Sequence, residues 1–159
     1  MAVIDPNESI VPSILDRLVD PDSGGTAWRR GYGIREMTDV VQRDLEDLLN
    51  TRQTHIGLPE ALTEVHSSII TFGLPDFTSL KTITRQQRED VGLLIEAIIT
   101  RFETRLRDVQ VKLVDAGDDR TRSIRFRVEA RLFVDPSPEL AFDTILELTS
   151  GHYSVTPSA

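Results

Sequence analysis

The chain contains no cysteine, which removes disulfides and thiolate metal sites together and fits a reducing compartment. Aromatic residues that build sugar platforms are scarce, with one tryptophan and two tyrosines in 159 residues. No apolar run approaches the ~20 residues that a membrane-spanning helix needs. The stretch Met1-Ala2-Val3-Ile4-Asp5-Pro6 lacks the basic and apolar regions of a signal peptide. The expected location is therefore the cytoplasm, with no direct membrane insertion. Positive charge is also in deficit: 18 Lys and Arg against 26 Asp and Glu leave a net charge of -8. Such a balance argues against nucleic acid as a partner unless a local basic patch overrides it. One patch exists, Trp28-Arg29-Arg30-Gly31-Tyr32-Gly33. On so acidic a chain it reads better as a docking loop anchored by Trp28 than as a base-stacking surface. Its glycines do not make a phosphate loop, because no Lys-Ser/Thr follows them.

Catalytic signatures are equally sparse. His55, His66 and His152 are scattered without ligand spacing, so no metal or other cofactor is expected. No Gly-x-Ser-x-Gly elbow occurs. A glycosidase needs two carboxylates about 5–10 Å apart in a sugar cleft, and only Glu103 stands out as a candidate acid.

What is present is a change of period. Val91, Leu94, Ile95, Ile98 and Phe102 recur at helical spacing, and Thr84 with Gln87 forms a capping box, so a long helix is expected over 85–101 or slightly beyond. Val109, Val111 and Leu113 then alternate with polar residues, predicting a strand over 109–114. At the switch, Glu103 and Arg105 lie in an apolar frame of Phe102 and Leu106. Charges at a packed junction must pair, with each other or with a partner, because an unpaired buried charge is costly.

The remaining elements follow by the same rules. Residues 1–12 read as a mobile tail, and 13–159 as a single domain. Ile14, Leu15 and Leu18 mark a short amphipathic helix over 13–19. Thr38 is placed as the cap of a second helix with the stripe Val41, Leu45, Leu48 and Leu49, ending near Asn50. Val65, Ile69 and Ile70 suggest a helical turn or extended segment. Phe72-Gly73-Leu74-Pro75-Asp76-Phe77 reads as a tight apolar turn. Ala116-Gly117-Asp118-Asp119-Arg120 is a hairpin-type loop. Ile124, Phe126, Val128, Ala130, Leu132 and Val134 face one side of a second strand; Arg125, Arg127, Glu129 and Arg131 face the other. That arginine face is either solvated or a contact surface for an acidic partner. After the break at Asp135-Pro136, a third strand covers 142–149, with Phe142, Leu146 and Leu148 inward. Tyr153 and Val155 offer a short fourth. The expected fold class is α+β: N-terminal helices and one long helix on a small antiparallel sheet of three to four strands.

Five short motifs fall in order: Ser13-Ile14-Leu15-Asp16-Arg17-Leu18, Asp44-Leu45-Glu46-Asp47-Leu48-Leu49-Asn50-Thr51-Arg52, Gly73-Leu74-Pro75-Asp76, Glu103-Thr104-Arg105 and Phe142-Asp143-Thr144. The order resembles the TssE family, baseplate subunits of bacterial type VI secretion systems. That family is similar to the phage baseplate wedge (GPW, lysozyme-like) proteins. The resemblance implies a non-enzymatic structural part of a cytoplasmic baseplate docked on the inner membrane, with other baseplate subunits and sheath proteins as partners. It also implies that the protein links them and starts sheath assembly. Candidate partner-binding residues are then Glu103, Arg105, Arg125, Arg127, Arg131, Phe142 and Asp143. The family's Glu-Pro-Arg motif matches at Glu103 and Arg105, but Thr104 replaces the proline, which predicts a helix running one or two residues further. A peptidoglycan-degrading lysozyme-like hydrolase and a small regulatory adaptor on the same fold are the alternatives. The sheet edge expected to receive a sheath strand is 141–149 or the strand at Tyr153 and Val155.

Overall fold

A computed structural model describes residues 10, 13–19, 32–54, 57–59, 61–76, 84–114, 123–134 and 137–158. Of the expected tail over 1–12 all but Ile10, together with residues 20–31 including Trp28 and its arginines, His55, Phe77 and the loop 115–120, lie outside the described residues. The elements are α1 (Ile14–Val19), α2 (Ile34–Asn50), α3 (Thr63–His66), a 3-10 turn (Ile69–Thr71), α4 (Arg85–Phe102), β1 (Leu106–Val114), β2 (Ser123–Leu132), β3 (Glu139–Glu147) and β4 (His152–Pro157). The strands form one antiparallel sheet in sequence order. α4 lies over β1 and β2, and α2 over β4, all on one face of the sheet. The fold is therefore α+β, as expected.

Strand alternation is the reason for this layering. Ile124, Phe126, Val128, Ala130 and Leu132 of β2 are all buried toward the helices. Phe142 and Leu146 of β3, and Tyr153 and Val155 of β4, extend the same layer. From the helices come Met37, Val41, Leu45, Leu48, Leu49, Val91, Ile95, Ile98 and Ile99. The stripe on α2 is the expected one, with Met37 added a turn earlier. That addition corrects the helix start: Gly33 is the N-cap, its N–H donating to Glu36 Oε2 at 2.8 Å. Thr38 lies inside the helix and its hydroxyl donates back to the Ile34 carbonyl at 2.8 Å. α4 begins as expected, with Gln87 N–H donating to Thr84 Oγ1 and Thr84 N–H to Gln87 Oε1.

The strands are longer or shifted relative to expectation. β1 starts at Leu106, before the alternating run, and a bulge between Arg107 and Gln110 absorbs the mismatch. Asp108 sits at φ 53 there, a left-handed conformation that Asp tolerates better than most residues. β3 runs from Glu139, Thr144 joins its inward set, and Val134 and Leu148 lie past strand ends.

The two sheet edges are unlike. β3 pairs on both sides, with β2 and with β4, so 141–149 holds no free edge. β4 is an edge, but α2 closes it. Asn50 Nδ2 donates to the Tyr153 carbonyl (2.8 Å) while Asn50 Oδ1 accepts the Tyr153 N–H (2.9 Å). Gln42 Nε2 donates to the Val155 carbonyl at 2.8 Å. Pro157, next in the outward set, has no N–H to offer. On β1 the outward groups belong to Val109, Val111 and Leu113, since their neighbours pair with β2. Among the described residues one of them is used, the Val111 N–H, which donates to Glu96 Oε2 of α4 at 2.9 Å.

A close approach fixes the loop between α2 and α4. Leu74 N–H donates to the Thr51 carbonyl (2.9 Å) and Gln53 N–H to the Leu74 carbonyl (2.8 Å). Between them Gly73 holds φ 99, and a Cβ there would lie 2.3 Å from the Thr51 oxygen. Gly92 on α4 is different: a Cβ would meet Phe126 at 3.4 Å, an ordinary contact. Gly73→Ala should therefore destabilise by about 2 kcal/mol or more, from strain plus collision. Gly92→Ala should be neutral or stabilising by up to ~1 kcal/mol from helix propensity. Urea denaturation of both variants checks this; equal effects would contradict the geometry.

Candidate functional site

The junction between α4 and β1 is built on an ion pair that leads into a longer chain of charges. α4 ends at Phe102, with Glu103 as C-cap, its N–H donating to the Ile99 carbonyl at 2.8 Å. Thr104 thus does not prolong the helix. The reason is local: Glu103 leaves helical geometry (ψ 80) so that its side chain can fold back onto Arg105. Arg105 Nε donates to Glu103 Oε1 at 2.6 Å and Arg105 Nη2 to Glu103 Oε2 at 2.5 Å, a bidentate fork. The Arg105 backbone N–H also donates to Oε1 at 3.2 Å. Glu103 is only 6% exposed, so this pairing is what makes its burial tolerable.

The chain continues through α2. Arg105 Nη2 also donates to Asp44 Oδ2 at 2.7 Å. The other oxygen of Asp44 accepts from Arg43, Nη2 at 2.8 Å and Nε at 3.0 Å. Arg43 Nη2 then reaches Asp16 Oδ1 on α1 at 2.7 Å. Asp16 Oδ2 accepts from Ser13 Oγ at 2.6 Å, and Ser13 Oγ accepts the Asp16 N–H at 3.1 Å. Burial alone would lower the Arg105 pKa, but Glu103 and then Asp44 hold it well above the ordinary arginine value. The hydrogen bonds that Arg43 donates to Asp16 and Asp44 raise its pKa likewise. Burial pushes the Asp16 carboxyl up, yet Ser13 and Arg43 outweigh it and leave it below its ordinary 3.8.

The residues singled out from sequence therefore divide. Glu103 and Arg105 meet each other, and Arg127 meets Asp143 across β2 and β3, Nε to Oδ1 at 2.9 Å. The Asp143 bond keeps Arg127 above its ordinary pKa, and Arg127 keeps Asp143 below its own. Arg131 pairs with Glu139 at 2.7 Å. Arg125 is exposed and makes no ion pair among the described residues. These side chains lie on the sheet face away from the helices, apart from the junction. Phe142 is a correction: at 0% exposure its ring fills the core and presents nothing to a partner.

Sequence reading passed over Asp16, Arg43 and Asp44. A signal existed for Asp44: it lies three residues after Val41 and four before Leu48, hence on the flank of the buried stripe. A carboxylate there needs a cation. Chemically, the carboxylate side of the junction is saturated, while the buried Nη1 of Arg105 has no hydrogen-bond partner among the described residues. Both oxygens of Glu103 are occupied by Arg105, which leaves no free carboxylic acid to donate a proton to a leaving group.

Removing one member of this chain should cost more than removing two. Arg105→Met strands Glu103 and should destabilise by about 2–4 kcal/mol. Adding Glu103→Gln should restore part of that loss, and a double-mutant cycle by urea denaturation reads the coupling. Additive losses would mean the pair carries no coupling. The pH dependence has a definite sign. Asp16 is held below 3.8, so its contribution is complete above that value and is lost as pH falls through the folded pKa. The α1 amide signals should hold steady from pH 8 to 5 and shift in acid, and Asp16→Asn should abolish that step.

A family model described as baseplate wedge protein gp25 matches residues 35–137. The matched stretch runs from the start of α2 past the end of β2, and includes Arg43, Asp44, Glu103 and Arg105. No curated protein and no solved structure matches the chain.

Proposed function

Since the chain belongs to the baseplate wedge protein gp25 family, we propose that it is a non-enzymatic subunit of a type VI secretion baseplate, linking other baseplate subunits to the contractile sheath. The family's role is structural, in a phage-tail-like baseplate. Among the described residues, no helix is long and apolar enough to cross a membrane. The finer reading is that residues 13–159 act as one wedge-like unit that starts sheath assembly by accepting a strand. It works in the cytoplasm, on a baseplate docked at the inner membrane.

The observation that carries this reading is the open edge of β1. An edge with unpaired N–H and C=O groups is a template for another chain. On β4 the outward Tyr153 groups and the Val155 carbonyl are taken by Asn50 and Gln42 and Pro157 has no N–H, whereas among the described residues the outward backbone groups of Val109 and Leu113 on β1 meet no partner. Strand addition there supplies main-chain hydrogen bonds, and the alternating side chains set register. This moves the docking edge from the third and fourth strands to the first. Arg125, with the paired Arg127, Arg131 and Asp143, then forms a contact surface on the open sheet face for a neighbouring baseplate protein. The Glu103–Arg105 pair contributes by holding β1 against the end of α4.

A proline scan along β1 tests the edge. Proline at Val109 or Leu113 removes an outward donor, so those variants should fold and fail to nucleate sheath. Proline at Gln110 or Lys112 removes a donor that pairs with β2, and should unfold the protein. Folded Val109→Pro and Leu113→Pro variants that still nucleate sheath would refute strand addition at β1. Purified protein should release no fragments from peptidoglycan; turnover lost in Glu103→Gln would instead support a lysozyme-like hydrolase.

A further inference from the structure

α1 is built inside out. Its apolar residues Ile14, Leu15, Leu18 and Val19 are 75%, 61%, 78% and 69% exposed, while Asp16 is 7% exposed. A six-residue helix has no stability of its own in water. It is held here by the Asp16–Arg43 ion pair and the Ser13 hydroxyl rather than by an apolar stripe. The polar anchor sets the rotation of the helix, and that rotation aims four large apolar side chains at solvent. Positions 14, 15, 18 and 19 share one face at helical spacing, so they form a single convex ridge. Arg17 lies on its flank, exposed and in no ion pair among the described residues. The stretch also precedes the family match, which begins at residue 35.

We infer that this ridge is a docking surface for another baseplate protein, one that offers an apolar groove with a carboxylate at its rim. The groove follows from the convex apolar ridge. The carboxylate follows from Arg17 at its flank, exposed and in no ion pair among the described residues. The anchor adds a mechanical consequence. Arg43 is shared between Asp16 and Asp44, and Asp44 is shared with Arg105, so a partner seated on α1 bears on the β1 junction through contiguous ion pairs. The inference rests on the baseplate reading above and deepens it by locating one contact and its chemistry.

The test is reconstitution with purified baseplate proteins of the same secretion system. The full chain carries the photo-crosslinker substitution Leu18→p-benzoylphenylalanine, and binding is measured in parallel for Leu15→Asp/Leu18→Asp and Arg17→Glu. The expected result is a crosslink to a baseplate protein. The double variant should bind at least tenfold more weakly with an unchanged melting temperature, because its substitutions sit in solvent. Arg17→Glu should bind more weakly, and more so at low ionic strength. Equal binding by the double variant would overturn the inference while leaving the baseplate reading intact. A wild-type chain that joins no baseplate protein would overturn both. A crosslink confined to a second copy or to the chain's own residues would assign the ridge to self-association or to internal cover. Flotation with anionic vesicles that is lost in the double variant would assign it to lipid. Each of these outcomes refutes the partner proposed here.

Discussion

A single carboxylate, Asp44, holds two arginines that would otherwise repel each other. Its Oδ1 accepts from Arg43 and its Oδ2 from Arg105, so α2 is tied on one side to α1 and on the other to the α4–β1 junction. Coulomb energy between unit charges near a protein surface is about 4 kcal/mol at 4 Å, enough to fix which way each long side chain turns. The order of charges along the chain is Asp16, Arg43, Asp44, Arg105, Glu103, with signs alternating throughout. Take away the middle one and two guanidiniums face each other, one of them still needed to neutralise buried Glu103. Hydrophobic packing sets the layers of this fold; the charge chain sets how the three helical pieces are oriented on those layers.

Much of the layering was legible in the residue pattern, for physical reasons that can be named. β2 is read correctly because its alternation is unbroken over ten residues and its neighbours on both sides are strands. α4 is legible because Thr84 and Gln87 announce its start through side chains that bond the backbone. α2 begins earlier than expected because its cap is a glycine, with no side chain to notice, and the work falls to Glu36. Thr38 resembled a cap because a threonine hydroxyl near a helix start bonds the backbone either way; here it bonds back to Ile34.

The candidate site was legible only in part. Glu103 and Arg105 stand out because the period changes between them, but their third partner is 61 residues away on another helix. No local pattern brings Asp44 there. α1 misled for a related reason: apolar spacing predicts a buried face only where burial is the strongest force available. On a helix this short the Asp16–Arg43 pair decides the rotation instead, and the apolar face goes outward. Which strand lies at an edge is likewise invisible to periodicity, because an inner and an outer strand can alternate identically.

The clamp of Asn50 and Gln42 on β4 limits what the sheet can do by itself. A fibre grows only from units with two sticky sides, each copy passing a free edge to the next. This sheet has one. Were two copies to meet through β1, the contact would be isologous and both edges would be spent, so the aggregate would stop at two. Asn50 therefore sets an upper bound on runaway cross-β growth for a protein that carries an exposed strand, and loosening it would convert a closed end into a second point of propagation.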